Sequence, residues 1–257
     1  MEGRRKARRE PKEAVVLLDS LLKMKPDFCH ALAPLGWSLY TIKNFNEAKG
    51  TYKKILICDP VIPISYLQLS RIYREYNEFD SAEFILLKWL NYEDEFPLGD
   101  VKTFYTNLGE ITRAKNQHHK SIEYLTEAIA RCTDDEDYKY CGDLFYLRAD
   151  SYAIIDETEK AWEDVLTHEQ LKPEDGKTLV LKGEILQKME KFSESTAILE
   201  EYLENPTNLG ENWVHFMIGY NYNRLKEFEK SCFHLNEAVR LGYEHELLDV
   251  MLKGCSN

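Results

Sequence analysis

The chain holds 257 residues, 44% apolar and 30% charged, with only 12 glycines and 8 prolines, the balance of a helical globular protein with few tight turns. Its 33 basic and 45 acidic residues leave a formal charge of -12, so the body repels nucleic acid and anionic membranes, and neither is expected as a partner. No apolar stretch approaches the roughly 20 residues of a membrane span, and no apolar segment of signal type follows the N-terminus, so the expected setting is cytoplasmic.

In chain order, Arg4, Arg5, Lys6, Arg8 and Arg9 crowd into a basic tail over residues 1–10, a charge run expected to be disordered. Residues 11–25 carry one helical stripe through Ala14 and Leu18, ending at Pro26. A pair of helices follows. The first carries Leu32, Leu35, Gly36 and Leu39; the second opens at Phe45, continues through Ala48, Tyr52 and Ile55, and stops at Pro60, which cannot continue it.

This pair recurs. A small residue of the first helix stands at Gly36, Ser70, Gly109, Ala149, Gly183 and Gly219. Twelve residues on comes the small residue of the second helix: Ala48, Ala82, Ser121, Ala161, Ser195 or Ser231. Four further on stands a large one: Tyr52, Leu86, Leu125, Val165, Leu199 or Leu235. Phe45, Phe79, Phe192 and Phe228 open the second helix, with His118 and Thr158 at the same place in the other two units. The units start at Cys29, Pro63, Lys102, Gly142, Gly176 and Asn212, at intervals of 34, 39, 40, 34 and 36 residues. The surplus falls in the acidic stretches 91–100 and 133–137, read as solvated loops or extra helical turns.

The residue types follow from packing. A Gly, Ala or Ser on each of two antiparallel helices lets the backbones approach, and large residues one turn away fill the flanks. A lone pair cannot bury both faces, so neighbouring pairs stack into one continuous core.

The stretch Leu32-Ala33-Pro34-Leu35-Gly36-Trp37-Ser38-Leu39, followed by Phe45-Asn46-Glu47-Ala48, Tyr52 and Pro60, resembles the tetratricopeptide repeat, with Leu where the family carries its Trp and its Tyr. The resemblance implies an all-α, right-handed superhelical solenoid, here one domain over residues 11–257. It would hold six full units, a preceding half unit and a C-terminal cap over residues 244–253. Ala14, Leu18 and Pro26 stand 34 residues before Ala48, Tyr52 and Pro60, so residues 11–25 match a second helix without its first. Leu17, Leu21 and Leu22 are therefore expected to lack a packing partner. A start assigned too late, an artificial boundary, or an edge that pairs with another chain would each account for it, which leaves self-assembly through this half unit as the alternative role.

Catalysis finds no support in the pattern. The histidines are scattered without metal-ligand spacing, and neither a phosphate-binding nor a dinucleotide-binding glycine motif occurs. His215 and His234 could approach within the sixth unit and are read as structural. No cofactor and no metal are expected, and the chain is read as no enzyme. The cysteines Cys29, Cys58, Cys132, Cys141, Cys232 and Cys255 lack CxxC spacing and, for a cytoplasmic protein, are read as buried free thiols.

The resemblance also implies where a partner binds. Positions 2, 5, 9 and 12 of each first helix line the concave groove of such arrays, one stripe of a helix. Among the residues of that stripe, Trp37, Tyr40, Leu67, Arg71, Arg74 and Arg113 in the first three units and Tyr146 in the fourth, with Asn107 beside them, are the candidate partner-binding residues. The implied role is a protein-binding adaptor or scaffold. The arginines suit a carboxylate-bearing peptide; alternatively Arg71 and Arg74 form a solvated face, paired with Glu75 and Glu78. Adaptors that grip the acidic tail of heat-shock chaperones use a Lys/Asn clamp, of which only Asn107 has a counterpart, so that ligand is not expected. Trp213, Phe216 and Tyr220 are expected to lie under the C-terminal helix.

Overall fold

The computed structural model describes residues 9–26, 28–132, 141–173, 176–206 and 210–256, and all regular structure among them is helical. Most of the basic tail and the whole of the acidic stretch 133–137 lie outside the described residues. The helices are α1 (Pro11–Met24), α2 (Leu32–Thr41), α3 (Phe45–Cys58), α4 (Pro63–Glu75), α5 (Phe79–Leu90), α6 (Leu98–Ala114) and α7 (His118–Ile129). They continue as α8 (Gly142–Ile154), α9 (Thr158–Leu171), α10 (Gly176–Lys188), α11 (Phe192–Glu204), α12 (Glu211–Arg224), α13 (Phe228–Arg240) and α14 (Glu246–Leu252). The chain divides into two compact units, Met1–Lys120 and Ser121–Asn257.

Every second helix opens on the residue expected of it, from Phe45 to Phe228. The turn before it is one device used six times. Lys43, Asn77, Asn116, Asp156, Glu190 and Lys226, the fifteenth residue of each unit, all adopt positive φ between 57° and 64°. The next residue's N–H reaches back to the carbonyl five residues earlier, as from Asn44 to Leu39 and from Lys191 to Leu186, each at 2.9 Å. This closes the first helix with a left-handed residue and returns the chain antiparallel. Glycine is the usual choice there; this chain uses none.

In the first compact unit α2 pairs with α3 and α4 with α5, while α1 packs on α2, α3 on α4 and α5 on α6. Gly36 makes the closest approach: a Cβ there would lie 2.9 Å from the Tyr52 ring. Trp89 of α5 is fully buried, stacked 3.7 Å from Phe104 of α6, and its Nε1 donates to the Val61 carbonyl at 2.8 Å. The stretch 91–100 resolves into a 3-10 turn, Glu93–Glu95, and an early start of α6 at Leu98, so part of its surplus is an extra helical turn. Of the three leucines expected to lack a partner on α1, Leu17 is 44% exposed whereas Leu21 and Leu22 pack against the core with Ala14 and Leu18.

In the second unit the pairs are α8 with α9, α10 with α11 and α12 with α13, stacked through α9 on α10 and α11 on α12. A Cβ on Gly183 would meet Leu199 at 2.5 Å, and one on Gly219 would meet Leu235 at 2.7 Å. Ser195 and Ser231 donate to the carbonyls of those glycines at 2.8 Å, which satisfies the hydroxyl that a serine brings into the tight crossing. Arg148 grips Asp164 with two bonds, 2.7 and 2.8 Å, both residues well inside the unit.

The thiol expectation is corrected. Cys29 is bonded to Cys58, Cys132 to Cys141 and Cys232 to Cys255, so none of the six is free. Sequence spacing hid these pairs because the bonded cysteines lie 29, 9 and 23 residues apart with no shared motif, and Cys232 lies inside α13. No helix among the described residues is long and apolar enough to cross a membrane.

Candidate functional site

The first helices of the first compact unit present a cleft of about 640 Å³, lined by Arg71, Arg74 and Glu75 of α4, Phe79 of α5, and Asn107, Glu110 and Ala114 of α6. Arg71 and Arg74 sit three residues apart on one face of α4, so both side chains enter it. Their surroundings differ. Arg74 is held by Glu110 at 3.0 Å and lies 3.5 Å from the Asn107 amide oxygen, whereas Asn107 spends its own N–H on the Thr103 carbonyl at 2.8 Å. Arg71 is exposed, lies over the Tyr40 ring at 5.6 Å, and makes no ion pair among the described residues.

Tyr40, Trp37 and Leu67 stand outside the lining, and Tyr40 reaches it through Glu75. Its hydroxyl donates to Glu75 at 2.7 Å, its ring meets Trp37 at 6.5 Å and Phe45 at 5.2 Å, and burial with the Glu75 carboxylate raises its pKa. Trp37 keeps 40% of its surface exposed and Leu67 is half-buried one turn before Arg71. The solvated pairs weighed from sequence are replaced: Glu75 takes Tyr40 rather than Arg71, and Arg74 takes Glu110 across to α6 rather than Glu78. Two arginines and two glutamates leave the cleft formally neutral, with Arg71 as the cation facing outward.

The other candidates fall elsewhere. Arg113 lies on α6 but outside the cleft lining. Tyr146 belongs to the second compact unit, where it meets His168 at 5.4 Å and carries Lys177 over its ring at 5.7 Å. Phe216 is buried against Leu248 and Tyr243 of the C-terminal segment, and Trp213 packs in the same cluster. The Trp213 Nε1 donates to Glu184 at 2.9 Å, and burial raises the pKa of that carboxyl. Tyr220 is not part of the cluster; it meets Phe192 edge-on. Phe79 and Glu110 were readable as repeat positions, but only the tertiary structure shows them closing one cleft.

His215 and His234 do meet, Nδ1 to Nδ1 at 3.0 Å. Burial lowers both pKa values, that of His234 to about 4 with the neighbouring His215 as a further cause. Among the described residues no group of three or more His, Cys, Asp or Glu is placed to hold a metal.

Comparison with known proteins bears on the repeat itself. Residues 103–135 match the family model for the tetratricopeptide repeat. That stretch, from α6 to just beyond α7, is one tetratricopeptide repeat. The C-terminal part of a TPR repeat-containing protein from Cytophaga hutchinsonii superimposes with a TM-score of 0.74 at 13% identity, covering 98% of each chain. YrrB, described as a TPR protein with an unusual peptide-binding site, gives 0.61 at 17% identity over 79% of this chain and 97% of its own. The Cut9–Hcn1 assembly of the APC/C gives 0.66 at 15% identity over 96% of this chain, which spans 46% of that longer one. At such identities the likeness is one of fold. No curated protein matches. The first helices α4, α8 and α10 begin on Pro63, Gly142 and Gly176, whereas α2, α6 and α12 begin on Leu32, Leu98 and Glu211.

Proposed function

We propose that this TPR protein is a non-catalytic adaptor that holds an extended peptide against the first helices of its N-terminal units. The cleft between α4 and α6 carries the reading, because it presents an uncompensated guanidinium beside exposed aromatic surface. Arg71 would bind a carboxylate of the peptide, a side chain or the C-terminus, by two parallel N–H bonds while the Tyr40 ring holds the guanidinium plane. Trp37 and Leu67 would receive an apolar side chain next to it, the usual composition of an interface hot spot. Arg74 is engaged by Glu110, so a second carboxylate would have to displace that residue. YrrB shows that the fold accommodates a peptide-binding site, and that comparison supports the class of ligand rather than its sequence.

The test uses a library of labelled peptides bearing free or amidated C-termini and acidic or neutral side chains, titrated against the full chain. Peptides retained by the wild type should bind at least about ten-fold more weakly to Arg71→Glu, the loss of one charge-assisted pair. Circular dichroism should show unchanged helicity. Retained peptides that bind Arg71→Glu equally well, or that bind regardless of carboxylates, would sink the reading.

A further inference from the structure

All six cysteines are consumed in three bridges, and the bridges join neighbours in chain order: first to second, third to fourth, fifth to sixth. Six cysteines allow 15 connectivities, so this arrangement is a specific outcome of the fold. Their places have a common logic. A stack of repeats is held by nearest neighbours, so it is weakest at its end units and at its longest insertions.

Cys29–Cys58 ties the start of the first full unit to the last residue of α3. Cys232–Cys255 ties the terminal 3-10 turn to α13, and so pins α14, whose one buried side chain is Leu248. Cys132–Cys141 closes the neck of the insertion that precedes α8, at a separation of 9 residues. Bridges of this kind persist in oxidising compartments and are kept reduced in the cytosol.

We propose that the protein works in an oxidising compartment, and that the three disulfides are permanent braces of the array's ends and of its insertion. Each bridge forms by thiol–disulfide exchange. A cysteine thiolate attacks an external disulfide, and its partner then displaces the mixed disulfide. The two protein thiols lose two protons and two electrons, which reduce the external disulfide to two thiols. The oxidant is the disulfide form of a thiol–disulfide oxidoreductase or a small-molecule disulfide. A peptide partner of the α4–α6 cleft would meet the protein in the same compartment.

The experiment takes the full-length protein from its source organism, denatured in excess N-ethylmaleimide without reductant and measured by intact mass. No adduct is expected before reduction and six after it, and peptide mapping should return the three pairs Cys29–Cys58, Cys132–Cys141 and Cys232–Cys255. Thermal unfolding of the native protein in dithiothreitol should then begin at least about 5 °C lower, since each bridge restrains the unfolded chain. The variant Cys232→Ser/Cys255→Ser should reproduce part of that drop without reductant. Six adducts without reduction would overturn the compartment, other pairings would overturn the connectivity, and an unmoved unfolding temperature would overturn the bracing role.

Discussion

Glycine acts in opposite ways at two helical positions of this chain, and the difference is one of neighbours. Gly183 faces Leu199 so closely that a Cβ would fall 2.5 Å from Cδ2 and 2.7 Å from Cγ, and the second of these is no flexible tip. Gly50 lies within α3 with nothing inside 4 Å of an added Cβ. Gly183→Ala should therefore destabilise by about 1–3 kcal/mol through overpacking. Gly50→Ala should stabilise by about 0.5–1 kcal/mol, because the backbone loses less entropy on folding. Urea unfolding followed by circular dichroism measures both; equal shifts of the same sign would contradict the close-approach account. The small-residue rule was legible in the sequence at Gly183 but says nothing about Gly50, which stands off the repeat register.

At the scale of the element, the repeated turn was not legible. Three of its six left-handed residues are Asn or Asp, which tolerate that conformation, but Lys43, Glu190 and Lys226 carry no such preference. The helices on either side impose the conformation, since the chain must reverse within a few residues and the i−5 hydrogen bond closes only around a left-handed residue. Lys43 is exposed and bears the full steric cost of its φ of 61°. Lys43→Gly should raise stability by about 0.5–1 kcal/mol, the difference between relief of that cost and the added freedom of the unfolded glycine. Asn77→Gly should gain less, and a thermal-melt comparison of the two variants separates conformational strain from a general effect of glycine.

The whole molecule carries a charge of -12, yet its acid response should include a local contribution from α12 and α13. His215 and His234 face one another at 3.0 Å, and burial holds both below the ordinary imidazole pKa, His234 at about 4. The carboxylates of Glu200, Glu211 and Glu237 oppose that depression and Arg240 assists it at His215. In the unfolded chain both rings take up protons near pH 6.5, so the unfolded state binds more protons than the folded one as pH falls below that value. The stability due to their neutral forms is present above pH 6.5 and is lost as pH falls toward 4. The slope from one such group is at most about 1.4 kcal/mol per pH unit, less where solvent reaches the rings. His234→Gln should flatten the pH dependence of the unfolding temperature between pH 6.5 and 5; an unchanged profile would remove the pair from the acid response.

The amino-acid sequence by itself determined the repeat, its register and the pairing of small with large residues. Gly36 with Tyr52, Gly183 with Leu199 and Gly219 with Leu235 are neighbours because two helices joined by a short turn have little choice of contact. Such local packing repeats at every unit, so periodicity records it. The tertiary structure alone decided the rest. Arg74 turned to Glu110 on α6 rather than to Glu78 on its own chain segment, because a long flexible side chain within reach of several carboxylates takes the one whose geometry and burial suit it. Tyr40 drew Glu75 away and left Arg71 facing the cleft. The cysteines paired between positions that share no sequence motif, since a disulfide depends on the approach of two backbones and not on the residues beside them. Helical periodicity is a property of every turn of the chain, whereas the choice among competing side-chain partners exists only once the helices have stacked.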